Sequence, residues 1–178
     1  VALMLEANSA LTWRDVKHIL ATTSTQINAS IADIRYSVNG VYYVATPAWV
    51  TNGAGHKFHN WYGFGRVDAG AAVAAAKAYS AGSLGTFAST AYSSNASGTV
   101  NLTIPDKTAS GVTNVINVSG ANTIEAVQVK INVTHGYVGD VAVELTSPAG
   151  TRSVLLTPQN NSADANNYVD FELTSNAF

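Results

Sequence analysis

The sequence predicts an α/β portion, helical with short strands, followed by an all-β antiparallel sandwich. Three observations carry this. Val16, Ile19 and Leu20 fall at i, i+3 and i+4, the spacing of one helical face. The Ala-rich run of residues 69–78 follows Asp68, an N-cap whose carboxylate is free to accept a first-turn N–H. Beyond Val100 the apolar period becomes two, as in half-buried strands. The organisation read from this is 1–79 for the first portion, 80–98 for a Ser, Gly, Ala and Thr-rich linker, and 99–178 for the sandwich.

The 178 residues suit one domain or two small ones. Only 11% are charged and the formal net charge is -2, against roughly 25% charged residues in an average domain. Such a chain has no basic stripe for nucleic acid. Its polar surface must come from Ser, Thr, Asn and Gly, a composition associated with secreted bacterial enzymes. The absence of cysteine excludes disulfides, a thiol nucleophile and zinc–thiolate chemistry. No apolar run reaches the roughly 18 residues of a membrane span. Val1 to Leu5 is apolar but lacks the basic start and small-residue cleavage site of a signal peptide.

Taken in order, Val1 to Ala7 reads as the tail of a buried helix closed by Asn8. It starts as if mid-helix, which suggests a piece of a longer chain. Thr12 and Asp15 have the spacing of a capping box, and the helix they open ends near the Thr-Thr-Ser run at 22–24. Residues 25–60 read as irregular, apart from a short strand at Val41 to Val44 and an Asn52-Gly53 turn signal. The Trp61 to Ala72 stretch, with Gly63 and Gly65, makes a tight turn into the Asp68-capped helix. Val127, Val129, Ile131 and Val133 alternate with polar residues, as do Val141, Val143 and Leu145. Ser147-Pro148-Ala149-Gly150 is a turn, returning as a partner strand over Arg152 to Leu156.

Several stretches resemble one family. Met4-Leu5-Glu6-Ala7-Asn8, Leu11 to Val16, Trp49 to Gly53 and Tyr62 to Ala69 resemble the end of the catalytic domain of kexin- and furin-like subtilases. Ile104-Pro105-Asp106, Ile124 to Val127, Thr134-His135, Gly139-Asp140 and Leu145 to Gly150 resemble the P (proprotein convertase) domain that follows it. The resemblance covers nearly the whole chain, with the motifs in family order. It implies a subtilisin-like α/β carboxyl portion and an incomplete, jelly-roll-like P domain. It also implies a secreted, periplasmic or cell-surface serine endopeptidase, possessing basic-residue preference, protein or peptide substrates and a propeptide or chaperone partner. In this family the helix holding Val1 to Glu6 begins at the catalytic serine of a Gly-Thr-Ser signature. The aspartate, histidine and oxyanion asparagine lie further upstream. The chain is therefore expected to carry no catalytic residue itself and to serve as scaffold and stabilising P domain.

The remaining candidates are weighed on their own chemistry. His18, His56, His59 and His135 lack an activated serine partner: no Gly-x-Ser-x-Gly occurs. His56 and His59, spaced i, i+3, lack a third metal ligand and read as chance spacing. Asp106, Asp140 and Asp170 fall at turns or strand ends, where carboxylates and carbonyls can form the oxygen shell of Ca²⁺. The family resemblance implies such structural calcium, while turn aspartates that bond local N–H groups are the plainer reading. Six Asn-x-Ser/Thr sequons, at Asn28, Asn95, Asn101, Asn117, Asn132 and Asn160, are expected by chance in so Asn-rich a chain. The alternative function is a non-catalytic β-sandwich binding module for carbohydrate or protein, presenting Tyr137, Tyr168 and Phe171.

Overall fold

The computed structural model describes residues 1–94, 100–120, 123–158 and 167–178. Helix α1 spans Ala2–Ala7 and stops at Asn8, whose backbone is extended. Helix α2 spans Trp13–Thr23 and opens with the expected capping box: Thr12 accepts from the Asp15 N–H, and the Asp15 carboxylate accepts from the Thr12 N–H. Helix α3 spans Ala69–Ala78, with the Asp68 carboxylate accepting from the Ala71 N–H at 2.9 Å.

These three helices share one core. Met4 of α1, Leu11, Val16 and Ile19 of and before α2, and Ala72 and Ala76 of α3 are buried together. The small side chains of α3 let backbones approach, which is why an Ala-rich helix with little amphipathic contrast still docks. Asn8 joins the helices: its Nδ2 donates to the Ala76 and Tyr79 carbonyls at 3.0 and 3.1 Å. It thus adds a partner to the carbonyls at the carboxyl end of α3, where the Ala76 carbonyl also accepts from the Tyr79 N–H at 3.3 Å.

Residues 25–60 are more ordered than the sequence suggests. Strands β1 (Ile34–Val38) and β2 (Val41–Thr46) form an antiparallel hairpin. Its turn is Asn39-Gly40, with φ of 49° and 78°, the two positive values a type I′ hairpin needs. The Asn-Gly pair carried that signal in plain view. Strands β3 (Val50–Thr51) and β4 (Lys57–Phe58) pair antiparallel. Buried Asn52 holds their turn, its Oδ1 accepting from the N–H groups of Ala54 and His56.

In the second part, β5 is Val127–Val133, β6 Val143–Thr146, β7 Arg152–Leu156 and β8 Tyr168–Ser175. β6 and β7 form the expected hairpin across the Ser147–Gly150 turn. β5 pairs antiparallel with β8, a strand the sequence pattern did not single out. Residues 100–120, expected to be the start of the alternating region, contain no strand. Val141 lies outside β6, closing a 3₁₀ turn over Val138–Asp140. Among the described residues every sheet is two-stranded, so antiparallel pairing is present while a complete sandwich is not. β7 and β8 meet through a 2.7 Å hydrogen bond between the Ser153 and Ser175 hydroxyls.

Candidate functional site

The chain's few charges gather where the helices meet the strands. Arg14 and Lys17, i and i+3 on α2, share a face. Arg14 Nε donates to both Glu125 carboxylate oxygens at 3.1 and 3.2 Å, and its Nη2 closes the ion pair. Nη1 donates to the Gly85 carbonyl at 2.6 Å and Nη2 to that of Leu84 at 3.3 Å. The guanidinium also lies 5.6 Å from the Phe87 ring centre, and Phe87 meets Trp13 edge-on. Lys17 Nζ donates to Asn176 Oδ1 at 2.8 Å and to the Glu125 carbonyl at 3.4 Å. One face of α2 thus holds the 84–87 segment, the approach to β5 and the residue after β8.

The hydrogen bond from Arg14 lowers the Glu125 pKa most; burial opposes it, and the nearby charges of Arg14, Lys17 and His18 add to the lowering. Arg14 is raised reciprocally, chiefly by the same hydrogen bond. Asp15, behind this contact, is fully buried. Burial works against its ionisation, but the Thr12 N–H and hydroxyl and the Gly82 N–H outweigh that and hold its pKa below the ordinary carboxylate range. A planar fork with several aligned acceptors is what Arg offers and Lys does not.

Two more contacts continue the seam. Arg152 of β7 pairs with Glu144 of β6, donates to the Val44 carbonyl of β2 at 2.8 Å, and lies over the Tyr43 ring. Asn60 Nδ2 donates to the Val154 carbonyl at 3.0 Å. Beside it is a cleft of about 290 Å³ bordered by Phe58, Ser153, Thr174 and Asn176. A groove of about 340 Å³ runs along α2 between Trp13, Leu20, Ala21 and Phe64. Neither lining contains a histidine or a carboxylate, and the amine in the groove, Lys17, is engaged with Asn176 and the Glu125 carbonyl.

His18 and His56 meet edge-on at 6.4 Å between ring centres, while His59 and His135 occupy separate settings. His59 is 2% exposed, packs against the rings of Trp49 and Tyr62, which also stack on one another, and accepts the Trp61 N–H at Nδ1, 3.0 Å. Burial lowers its pKa, which favours neutral imidazole. His135 Nδ1 accepts from the Tyr137 N–H at 3.0 Å. Among the described residues, no histidine side chain bonds a serine hydroxyl or a carboxylate.

Asp106 is exposed in a turn, and Asp140 is exposed at the end of the 3₁₀ turn. Asp170 sits at φ 47° in a bulge of β8. Its N–H donates to Asn132 Oδ1 at 2.8 Å, and its Oδ1 accepts from Asn132 Nδ2 at 3.1 Å. The left-handed conformation is thus stabilised by a reciprocal cross-strand pair. Among the described residues, no group of three or more His, Asp or Glu side chains is placed to hold a metal ion, and Asp106, Asp140 and Asp170 stand apart in separate turns and in β8. Tyr168 and Phe171 stack on one another at 4.7 Å, and Tyr137 is exposed. The sequons at Asn95 and Asn160 lie outside the described residues, and Asn132 is engaged with Asp170.

Sequence reasoning did not assign the seam residues Arg14, Lys17, Glu125, Glu144 and Arg152. The available signal was scarcity: in a chain with 11% charged residues, an Arg and a Lys three apart on one helix are not surface decoration.

Residues 124–178 match the proprotein convertase P-domain family. The chain is 34% identical to Furin-1 of Xenopus laevis over 171 residues, covering 96% of this chain and 20% of that protein. It is 36% identical over 162 residues to proprotein convertase subtilisin/kexin type 6 of Rattus norvegicus, covering 88% and 15%. The chain therefore spans a fifth or less of the curated relatives it matches. It superposes on a serine protease of Aeromonas sobria with TM-score 0.72 and 26% identity, over 99% of this chain and 33% of that one. The same comparison with that protease in complex with a chaperone gives TM-score 0.69 and 25% identity, over 98% and 32%. Among the described residues no helix is long and apolar enough to cross a membrane.

Proposed function

We propose, from a chain whose residues 124–178 are a proprotein convertase P-domain stretch and which is homologous to furin-type convertases along nearly its whole length, that it is the scaffold part of a subtilisin-like serine endopeptidase. In this reading the whole protein hydrolyses peptide bonds through an acyl-enzyme, with serine as nucleophile and histidine as base. Residues 1–79 are the carboxyl portion of the catalytic domain, and 99–178 belong to the P domain. This chain supplies no triad member. Its task is to hold the P domain against the helices that back the catalytic centre.

The observation carrying this is the Arg14 contact. One side chain of α2 binds both the segment leading out of the helices and Glu125 at the entry to the β part. A rigid dock of this kind fixes helix positions, and small displacements of catalytic groups cost rate. The expected basic-residue preference, secretion and a chaperone or propeptide partner belong to the whole protein. A chaperone complex of the Aeromonas sobria protease supports the last of these. Structural calcium is likewise proposed, with Asp106, Asp140 and Asp170 as the candidate ligands in this chain.

Labelling with a fluorophosphonate serine reagent tests the reading. The protein that includes this chain and the residues preceding Val1 should label at a single serine, and the 178-residue chain alone should not. Labelling of a serine within the chain, or none in the longer protein, would overturn it.

A further inference from the structure

We propose that His59 is a proton-operated latch: neutral, it keeps the β4 end of the seam closed on β7 through Asn60, and protonated, it releases that end while Arg14 and Glu125 hold theirs. The inference concerns the contact between the two parts of the chain and does not depend on the protease reading.

The His59 ring is fastened at one nitrogen. Nδ1 accepts from the Trp61 N–H at 3.0 Å, so the neutral ring carries its proton on Nε2. Nε2 is buried without a hydrogen-bond partner among the described residues. Tyr62 stacks on the ring at 4.9 Å, Trp49 lies tilted against it at 5.5 Å, and Trp61 meets it edge-on at 5.8 Å. A side chain that accepts the N–H two residues on makes an Asx-type turn, which Asn forms without an ionisable group. Histidine makes the same bond in a form that a proton cancels.

The backbone links that bond to the seam. The His59 N–H donates to the Gly63 carbonyl at 2.9 Å, and the His59 carbonyl accepts from the Tyr62 and Gly63 N–H groups at 3.1 and 2.7 Å. Asn60, inside this turn, donates through Nδ2 to the Val154 carbonyl of β7 at 3.0 Å. Protonation turns Nδ1 into a donor facing the Trp61 N–H. It also leaves a charge on a residue only 2% exposed, where lost hydration is costly. The aromatic faces attract a cation only weakly by comparison. The ring therefore leaves its place, the 59–63 turn opens and Asn60 loses Val154.

No charged side chain offsets this. Of the titratable groups on the elements around His59, the Tyr62 hydroxyl accepts from Asn28, Lys57 of β4 donates to Gln26, His56 faces His18, and Arg152 of β7 pairs with Glu144 of β6. Burial alone acts on the His59 pKa, lowering it. The latch thus opens below the ordinary histidine value of about 6.5. Glu125, held below the ordinary carboxylate range chiefly by its hydrogen bond from Arg14, keeps its charge there. Between histidine and carboxylate titration lies a window in which one end of the seam is open and the other shut.

Hydrogen exchange of the purified chain from about pH 8 to about pH 4.5, corrected for intrinsic exchange, tests the proposal. Protection of the 59–63 amides should fall below about pH 6.5 and then lose about tenfold per pH unit, the linkage of one proton. Protection in α2 and β5 should persist through that range. The nuclear magnetic resonance signal of the Asn60 side-chain amide should move with the same midpoint, reporting its release from Val154. His59→Asn, which keeps an acceptor for the Trp61 N–H but has no proton to gain, should hold the 59–63 protection flat with pH. A fall that survives in His59→Asn, an equal fall in α2 and β5, or an Asn60 signal that does not follow would overturn the latch. If His59→Asn does not fold, the imidazole resonance of His59 in the unmodified chain decides. It must titrate at the midpoint where the protection falls, and a different midpoint rejects the assignment.

Discussion

Arg14 and Glu125, 111 residues apart in the chain, meet in a forked ion pair that also encloses the Leu84 and Gly85 carbonyls. The pair is polar but specific: the carbonyls and the carboxylate together define where the guanidinium must lie. Exchanging the charges gives a clear test. Arg14→Glu alone should place two carboxylates together, loosen the strands from the helices and expose residues 80–94 to added protease several times faster. Glu125→Arg alone should do likewise. The double exchange should recover part of the protection, since the coupling belongs to the pair. It should not recover all of it, because a carboxylate at position 14 cannot donate to the two carbonyls. Equal susceptibility of all variants would show that the seam does not hold the halves together.

Acid should weaken the fold in two stages. His59 has a folded pKa below its unfolded value because it is buried. The unfolded state therefore binds more protons, and stability falls as pH drops below the unfolded value of about 6.5. Asp15 and Glu125 also have lowered folded pKa values. Their stabilisation is present above the unfolded carboxylate range near pH 4 and is lost as pH falls through the folded values. Urea midpoints measured from pH 8 to pH 2.5 should show both declines. His59→Phe, which keeps the stack on Trp49 and Tyr62, should remove the earlier one and leave the later one. Persistence of the decline near pH 6 in that variant would assign it elsewhere.

The elements with local physical causes were legible. The Thr12–Asp15 box, the Asp68 cap, the Asn8 stop and the 147–150 turn each lie within a few residues of the backbone groups they satisfy. β8 was not, because its bulge at Asp170 breaks the alternation that marks a strand, and the compensating Asn132 is 38 residues away. The seam was illegible for the same reason. Nothing near Arg14 in the sequence announces Glu125, and nothing near His18 announces His56. Charge scarcity flags such residues without naming their partners.

Ala76 tests how closely the helices pack. It is completely buried between α1 and α2, in contact with the Met4 and Ile19 cluster. Ala76→Leu improves no helix propensity and adds three carbons to a site with no room. It should destabilise by about 1–3 kcal/mol, read as a lowered urea midpoint with unchanged slope. Ala74, on the exposed side of α3, should accept Leu at a cost within about 0.5 kcal/mol. Comparable effects at both positions would mean that α3 does not pack as described.

Gly65 is the position where the turn before α3 admits no side chain. Its φ is 122°, and a Cβ built on it would lie 2.4 Å from the Thr25 carbonyl oxygen. That carbonyl accepts from the Arg66 N–H, while the Thr25 N–H donates to the Arg66 carbonyl, both at 2.9 Å. The glycine therefore serves a close approach between the chain leaving α2 and the chain entering α3. Gly65→Ala must break that pair of hydrogen bonds or push the two segments apart. Both the strained dihedral and the clash contribute, and about 3 kcal/mol or more should be lost. Gly40 separates the two causes. Its φ of 78° is also left-handed, but nothing lies within 4 Å of a Cβ there, so Gly40→Ala should cost only the dihedral strain, about 1–2 kcal/mol. Hydrogen exchange should show the difference locally: the Thr25 and Arg66 amides should lose protection in Gly65→Ala and keep it in Gly40→Ala. If the two variants were equally stable, the contact with Thr25 would not be what demands glycine at 65.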